Sequence, residues 1–352
     1  MTTPPIPAAT VSGPATIVIQ SAPQPTFWSR AKWWLLGSAL SLSVLFNMVL
    51  LGAVADYFSP STDGPQEKYS RGSQTAADKI AIIKVTGTIM PPFSARVIKA
   101  VEKARDDDAV KGVVLRIDSP GGLVSDSHQI YHRLKELSAK KPVFVSFGSM
   151  AASGGYYIAM GAGPKGTIFA EPITWTGSIG VILPRYDASE LASKVGVKSD
   201  SIKTGEFKDA LNPFQPLPDN ERKIWDDILG QSFDRFLTII DENRANLNRE
   251  QIQALATGRI YTADDGIKNG LVDKIGLEED AFKALQESLG LKDARGVEYS
   301  FPQTVLDVLL AQAQANDPQT RVRAVMESTV PREMYYFSWT MPEGLVRTWV
   351  AH

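Results

Sequence analysis

The chain has 352 residues, of which 43% are hydrophobic and 22% charged, and this composition is typical of a globular protein. Its formal net charge is −2, so the composition gives no indication of a nucleic-acid partner. The chain contains no cysteine, which excludes disulfides, thiolate zinc sites and a cysteine nucleophile.

The N-terminal region predicts a membrane-spanning helix. Residues 1–32 are rich in Pro, Thr, Ser and Ala and predict a disordered tail. Residues 33–55 carry no charged side chain, and a helix of that length spans roughly 30 Å of hydrocarbon. Because Arg30 and Lys32 precede this segment and Asp56 follows it, the positive-inside rule places the tail in the cytoplasm and the remainder of the chain outside.

A cleaved secretory signal is the alternative interpretation of this segment. Ala53-Val54-Ala55 matches the small-residue pattern of a cleavage site. The apolar stretch exceeds the roughly 7–15 residues of a signal peptide, however, so we favour an anchor. A buried soluble helix is disfavoured because the segment has no polar face.

Residues 56–78 are polar and rich in turn-forming residues, and they predict a linker. Short apolar strands and helices then alternate. We predict strands over 79–87, 110–118 and 141–147, helices over 92–108, 123–138 and 150–162, and further strands in TIFAEP and TGSIGVILP. This alternation is typical of an α/β fold with a largely parallel sheet that helices cover on both faces.

The region after Pro218 begins with a long amphipathic helix. Residues 219–244 place apolar side chains at helical spacing opposite a charged face. Residues 258–276 predict a strand, a turn and a short helix, with Thr262 as its N-cap. The aromatic residues near the C-terminus fit no periodic pattern.

The stretch DSPGG, residues 118–122, lies at the end of a predicted strand. Paired glycines there allow backbone N–H groups to point into a crevice, which is how an oxyanion hole forms at a strand-to-helix turn. A tight turn without a catalytic role explains the same residues.

Ser153 lies in MAASGGYY, where a helix is predicted to begin beyond the end of a strand. Open α/β sheets bind their ligands at such positions. Close helix packing is the alternative reason for small residues here. The stretch is not the G-x-S-x-G pattern, since Ala151 replaces the first glycine.

A serine nucleophile needs a base, and the histidines offer poor candidates. His128 and His132 lie one turn apart on a predicted helix, without a carboxylate at ligand spacing, so we favour surface residues over a metal pair. His352 is the last residue of the chain. A Ser-His-Asp triad is therefore poorly supported.

Lysine is the alternative base. The stretch IKTGEFKDALNPF contains Lys203 and Lys208. A lysine with an ordinary pKa of about 10.4 is neutral in only about one molecule in a thousand at pH 7.4. A base lysine must therefore be partly enclosed, and composition alone does not choose between the two.

Five stretches in this order, DSPGG, MAASGGYYIA, TGSIGV, KTGEFKDALNPF and GRIYTADDGIKNGLVDKIG, resemble the signal peptide peptidase A family. Its members are membrane-anchored serine peptidases with a Clp/crotonase-like fold. The resemblance covers residues 79–292 and is closest to the short bacterial form with one catalytic domain.

The resemblance implies a role for each matching residue. Ser153 corresponds to the nucleophile and Lys208 to the general base, in a Ser-Lys dyad. Ser178 corresponds to the hydroxyl that orients the lysine. The amides of Gly121 and Gly154 correspond to the oxyanion hole. This chemistry requires no metal and no cofactor.

The resemblance also implies surroundings and partners. It predicts a single-pass protein of the bacterial inner membrane and a homo-oligomer, commonly of eight subunits. Expected substrates are extended apolar peptides near the membrane, such as remnant signal peptides, with small side chains in shallow pockets. Residues 293–352 match nothing in the family, and we predict that they form an oligomer interface.

Two rival functions stay open at this point. A crotonase-like acyl-CoA hydratase or isomerase would use paired backbone amides together with carboxylates near the glycine turn. A non-catalytic membrane scaffold of the same fold would be expected to lack the serine or the lysine, and both are present.

Overall fold

The computed structural model describes residues 27–58, 64–301 and 334–336. The chain divides into two units, Met1–Thr62 and Asp63–His352. Residues 1–26 of the predicted tail and most of the predicted extension beyond residue 301 lie outside the described residues, whereas residues 27–32, also predicted as tail, belong to a helix.

The described part of the first unit is one long helix, α1, over Phe27–Phe58, which extends beyond both ends of the predicted span. Its segment Trp34–Leu51 has a mean hydropathy of 1.9 and no buried residue, so its length and composition suit a membrane span. Asn47 is the one strongly polar side chain in this segment, and it donates to the Ser43 carbonyl oxygen at 2.7 Å. That bond satisfies one donor of the amide group within the helix itself.

The described part of the second unit contains eleven strands, nine of which form one sheet. They are β1 Gln66–Gly72, β2 Lys79–Thr86, β3 Val110–Ser119, β4 Gly121–Leu123, β5 Val143–Ala152, β6 Ile168–Ala170, β7 Trp175–Gly177, β8 Ile260–Thr262, β9 Lys274–Ile275, β10 Arg295–Ser300 and β11 Met334–Tyr336. The large sheet has the order β1-β10-β2-β3-β5-β6-β9, with β7 paired to β5 and β8 to β7. Strands β4 and β11 pair with each other.

Most neighbouring strands in the large sheet are parallel, as predicted. The pairs β1–β10 and β7–β8 are antiparallel. The central strand β3 is parallel to β2 on one side and to β5 on the other. The carboxyl ends of β3 and β5 therefore lie at the same edge of the sheet, and DSPGG and Ser153 follow these two strands.

Eight helices of this unit are described. They are α2 Phe93–Asp106, α3 Val124–Ser138, α4 Gly154–Ala159, α5 Ser189–Lys194, α6 Asp219–Asn243, α7 Arg249–Leu255, α8 Ala263–Lys268 and α9 Glu278–Ser288. The predicted bounds of α2, α3 and α6 are correct to within two residues. Thr262 caps α8 as predicted, since its hydroxyl accepts from the Asp265 N–H at 3.2 Å.

Strand β2 shows how the sheet is covered on both faces. Successive side chains of a strand point to opposite faces. Ile83 and Val85 pack into a core with residues of α2, α3 and α6, whereas Ile80 and Ile82 pack against Phe282 of α9 and its neighbours. Burial on both faces explains why the central strands are continuous apolar runs.

The structure differs from the predictions at the sheet edge. Gln66–Gly72 falls within the predicted linker but forms β1, and Arg295–Ser300 falls within the predicted extension but forms β10. Strand β1 is a mostly exposed edge strand, so its polar sequence QEKYSRG is that of a solvated edge and is easily mistaken for a loop.

Two predicted elements after β5 are shorter than expected. The helix predicted over 150–162 begins only at Gly154, because β5 continues to Ala152. The strand predicted for TGSIGVILP ends at Gly177, where Ser178 takes a positive φ of 49° that an extended strand does not allow.

Candidate active site

Ser153 occupies a sharp turn between β5 and α4. Its φ of 52° and ψ of −113° are unusual for a residue with a side chain and cost on the order of 1–3 kcal/mol. Backbone bonds hold this turn, because the Ser153 N–H donates to Gly177 O at 2.8 Å and the Tyr157 N–H donates to Ser153 O at 2.9 Å. Strained strand-to-helix turns of this kind present nucleophilic serines in hydrolases.

The glycine turn packs directly against the start of α4. Gly121 has a φ of +104°, and a Cβ placed on it would lie 2.7 Å from the Gly154 nitrogen. A Cβ on Gly154 would lie 3.1 Å from the Gly122 nitrogen. The structure therefore brings Gly121 and Gly154 together, with the amide of Gly122 beside them. The Gly121 N–H donates to Ser119 Oγ at 3.1 Å, which fixes the orientation of the turn.

A cavity of about 640 Å³ opens at this point. Its wall is mostly apolar and glycine-rich, and it includes both predicted serines: Ser153, Ser178, Ile179, Gly180, Val181, Ile182, Leu229, Gly230, Phe233, Ala256, Thr257, Gly258 and Tyr336. None of these described wall residues is a lysine, histidine or carboxylate. A proton acceptor for Ser153 must therefore come from outside this wall.

Ser178 lies in this wall at the end of β7. It is 6% exposed, and its N–H donates to Arg259 O at 2.7 Å, so β8 fixes its position. Strand β7 is parallel to the last residues of β5, which brings Ser178 next to the turn that carries Ser153. The two serines that the sequence singled out thus face one cavity.

Lys208 and Lys203 lie in a segment of turns between β7 and α6, and the two lysines differ in their contacts. Lys203 donates to Asp209 Oδ1 at 2.5 Å and to Glu206 O at 2.9 Å. Lys208 is exposed and makes no ion pair within the part of the chain that the structure describes. The structure does not place Lys208 in the cavity wall.

Ser127 is a site residue that the sequence did not indicate. Its hydroxyl is buried, has no hydrogen-bond partner among the described residues, and lies 2.7 Å from the point that a Cβ on Gly154 would occupy. This contact makes glycine necessary at the first residue of α4. Only the tertiary packing of α3 on α4 reveals it.

An aromatic cluster beneath the site was also missed. The Tyr157 ring lies 5.0 Å from the Phe236 ring and 4.9 Å from the Tyr335 ring, between centroids. Burial raises the pKa of the Tyr157 phenol. Its hydroxyl shares a hydrogen bond of 2.8 Å with His128 Nδ1. The repeated tyrosines of MAASGGYY are the sequence signal that could have found this cluster.

The two predicted surface histidines have separate roles. Burial lowers the pKa of His128, and the positive charge of Arg235 adds to the effect, so His128 favours the neutral state beside Tyr157. His132 lies 3.3 Å from Glu136 on the exposed side of α3. Among the residues that the structure describes, no three His, Cys, Asp or Glu side chains group as metal ligands.

Comparison with known proteins identifies the family. The family model for peptidase family S49 matches residues 135–292, and that for Clp protease matches residues 66–176. The chain is 36% identical to the "Putative signal peptide peptidase SppA" of Enterococcus faecium over 249 residues, which cover 67% of this chain and 71% of that protein. The chain belongs to peptidase family S49.

More distant relatives of this S49 chain are longer proteins. Protease 4 of Haemophilus influenzae is 35% identical over 63% of this chain and 36% of its own length. Serine protease SPPA, chloroplastic, of Arabidopsis thaliana is 30% identical over 74% of this chain and 41% of its own length. The S49 chain is therefore a serine protease with a Clp-protease-like sheet, and the rival hydratase and scaffold functions are not supported.

Proposed function

We propose that this S49 protease is a membrane-anchored endopeptidase that cleaves membrane-associated peptides, such as remnant signal peptides, with a Ser153–Lys208 dyad. The observation that carries the proposal is the position of Ser153. It is 1% exposed, it is held at a strained turn where α4 begins, and it lies beside the glycine turn. A strained backbone at a buried serine brings no advantage for packing, whereas it is typical of a serine that acts as a nucleophile.

The proposed reaction uses groups of this chain alone. Lys208 accepts the Ser153 proton as Oγ attacks the substrate carbonyl, and Ser178 orients the lysine. The oxyanion accepts one hydrogen bond from the Gly154 amide and another from the amide of Gly121 or Gly122 in the glycine turn. Lys208 then protonates the leaving amine, and water releases the acyl group by the reverse steps.

A base lysine needs cover from water, because desolvation favours the neutral amine. The segment that carries Lys208 exposes many large apolar side chains: Tyr186, Leu191, Val195, Val197, Ile202, Phe207 and Phe214. Exposed apolar surface of this extent is typical of an interface. We therefore propose a ring-like homo-oligomer, of eight subunits as the family resemblance implies, in which a neighbouring copy covers this segment. Light scattering of the detergent-solubilised chain tests this, and a monomeric mass would contradict it.

Helix α1 is the proposed anchor. With its N-terminus in the cytoplasm, it places the protease domain on the outer side of the bacterial inner membrane, where signal peptides remain after secretion. The name of the Enterococcus faecium relative supports this substrate class. The chain should stay in the membrane fraction after alkaline carbonate washing, whereas full release would favour cleavage after Ala55.

Active-site labelling tests the dyad. The full chain is treated with a fluorophosphonate, and the adduct is located by intact mass and peptide mapping. We expect one adduct, on Ser153, which is absent in Ser153→Ala and in Lys208→Ala. Ser178→Ala is the matched control in the same wall, and it should retain the Ser153 adduct at a slower rate. A folded chain that forms no adduct would refute the proposal.

A further inference from the structure

Helix α1 carries one strongly polar side chain that its own chain satisfies only in part. Asn47 lies within Trp34–Leu51, the stretch whose length and composition suit a membrane span. At 1.5 Å per residue, it lies about 5 Å from the middle of residues 33–55, well inside a hydrocarbon layer of roughly 30 Å. An amide without hydrogen-bond partners is unfavourable at that depth, because lipid tails offer neither donors nor acceptors.

The two ends of the Asn47 amide differ in their contacts. Nδ2 donates to the Ser43 carbonyl oxygen at 2.7 Å and lies 3.5 Å from Ser43 Oγ. The second distance exceeds the usual range for a hydrogen bond, so one proton of Nδ2 is available for a better acceptor. Oδ1 accepts no hydrogen bond from the part of the chain that the structure describes. The helix offers it no donor, because the backbone N–H groups of a helix interior are bonded to the carbonyl groups four residues earlier.

A seven-residue spacing places Asn47 on a stripe of exposed side chains along α1. The members of this stripe are separated alternately by four and three positions: Leu36, Leu40, Ser43, Asn47 and Leu50. This is the spacing of the a and d positions in a left-handed coiled coil, with Asn47 at an a position. A small residue such as Ser43 lets two helices approach closely, one turn before the position where Asn47 must reach across.

A second copy of α1 suits this stripe better than any apolar surface does. An amide carries partial positive charge on its N–H groups and partial negative charge on its oxygen, so two facing asparagines are complementary in charge. Each Nδ2 can donate to the Oδ1 of the other copy. Copies that insert in the same orientation hold Asn47 at the same depth, as a parallel pair requires.

We propose that α1 binds the α1 helix of a second copy as a parallel, left-handed pair along this stripe, with the two Asn47 amides bonded to each other. The inference rests on the proposed membrane anchor and adds an interaction surface within the membrane. It is separate from the proposed cover of the Lys208 segment, which concerns the protease domain. An even number of subunits gives every α1 helix a partner.

The chain contains no cysteine, so an introduced cysteine is the sole thiol and disulfide formation maps the contact. Single cysteines are placed in the full chain, membranes are oxidised with copper phenanthroline, and non-reducing gels give the initial rate of dimer formation. We expect the stripe to cross-link at least about tenfold faster than the opposite face, because a disulfide needs two Cα atoms within about 7 Å. The stripe variants are compared with variants that face away from it: Leu36→Cys, Leu40→Cys and Leu50→Cys against Leu42→Cys, Leu45→Cys and Val49→Cys. Equal rates on both faces would mean that copies collide without a specific contact, and would overturn the inference.

Substitution of Asn47 in the Leu40→Cys chain tests the hydrogen bond itself. Asn47→Leu removes the amide at similar volume, and the rate should fall roughly threefold to thirtyfold, the range for a hydrogen bond between membrane helices. Asn47→Gln keeps an amide and should retain most of the rate. Ser41→Leu removes a hydroxyl from another face of α1 and is the matched control, with no expected change. An unchanged rate in Asn47→Leu would overturn the assignment of the amide as the contact.

Alkaline carbonate washing of the cysteine variants separates failure of this inference from failure of the anchor. If the chains stay in the membrane fraction and none cross-links, the pair does not form and the proposed anchor stands. If the chains are released, the anchor itself fails, and the inference fails with it. Neither result bears on Ser153, because labelling tests the nucleophile separately.

Discussion

The two halves of the proposed dyad lie in regions of very different construction. Ser153 follows the central strand β5, whose neighbours β3 and β7 are both parallel to it, and the residue is 1% exposed. Lys208 lies between residues 183 and 218, where α5, a helix of six residues, is the one described helix or strand. In that segment Ile202 is fully exposed, with a relative accessibility of 106%.

This difference indicates which contacts hold each half of the proposed dyad in position. Parallel strand ladders and burial on both faces fix the nucleophile within one chain. The segment of the base has few buried contacts, and such regions have low local stability. We therefore expect one chain to position Ser153 by itself, whereas the proposed base Lys208 would need its segment to be covered.

The largest expected effect comes from replacing Lys208, with the replacement of Lys203 as the matched control. Lys208→Ala should lower kcat/KM about a thousandfold, within the range for loss of a general base. Lys203→Ala removes a partly exposed lysine that is already paired with Asp209, and it should change kcat/KM less than about threefold. Steady-state cleavage of a fluorogenic peptide measures both.

Light scattering must show the same mass for both lysine variants, so that a change in assembly is not mistaken for a change in chemistry. A thousandfold loss in Lys203→Ala with an active Lys208→Ala would exchange the roles of the two lysines. Equal, small effects would refute a lysine base in this segment.

Prediction from the sequence succeeded where the pattern of apolar residues along the chain matches the burial of those residues in the fold. Strands β2 and β3 are continuous apolar runs because both of their faces are buried, and the sequence shows this directly. Ser153 could be singled out because it follows a strand within a short stretch of small residues, whereas Ser178 was indicated only by the family resemblance. Strand β1 was missed because it is a mostly exposed edge strand, and its neighbour β10 was missed because its sequence RGVEYS has no continuous apolar run.

The aromatic cluster was missed for a different reason. Tyr157, Phe236 and Tyr335 come from three distant parts of the chain, and only the fold brings their rings together. The contact of Ser127 with Gly154 is likewise tertiary. Apart from the paired tyrosines of MAASGGYY, the sequence carries no signal for contacts of this kind, whereas the strand-to-helix turn of Ser153 is local.

The substitution Gly154→Ala adds one methyl group and tests how tightly the region around Ser153 is packed. In Gly154→Ala the new Cβ would lie 2.7 Å from Ser127 Oγ and 3.1 Å from the Gly122 nitrogen, so the amides of the oxyanion turn must move. We expect kcat to fall roughly 10²- to 10³-fold, as for loss of one oxyanion donor, with little change in KM.

Gly205→Ala is the matched change in the other region. Its Cβ would meet Lys208 Cγ at 3.7 Å, which is an ordinary contact, and we expect less than about a threefold change in kcat. If both variants kept full activity, the packing of α4 against the glycine turn would have no catalytic importance.

The smallest expected effects concern stability, and two ion pairs provide the comparison. The Arg244 side chain is 5% exposed and donates to both carboxylate oxygens of Asp273, at 2.8 and 3.0 Å. Asp273→Ala leaves a buried guanidinium without its counter-charge, which costs about 3 kcal/mol or more. In the segment of the proposed base, Asp209→Ala breaks the pair with the partly exposed Lys203 and should change the free energy of unfolding much less.

Urea unfolding at one protein concentration, in the inactive Ser153→Ala background, measures both free-energy changes without self-digestion. Asp273→Ala should shift the midpoint strongly, because Arg244 also binds the Gly270 carbonyl and connects α6 to the turn before β9. An equal shift for Asp209→Ala would mean that the segment of Lys208 unfolds together with the sheet. In that case the base would be as firmly fixed within one chain as the nucleophile, and its cover by a neighbouring copy would be unnecessary.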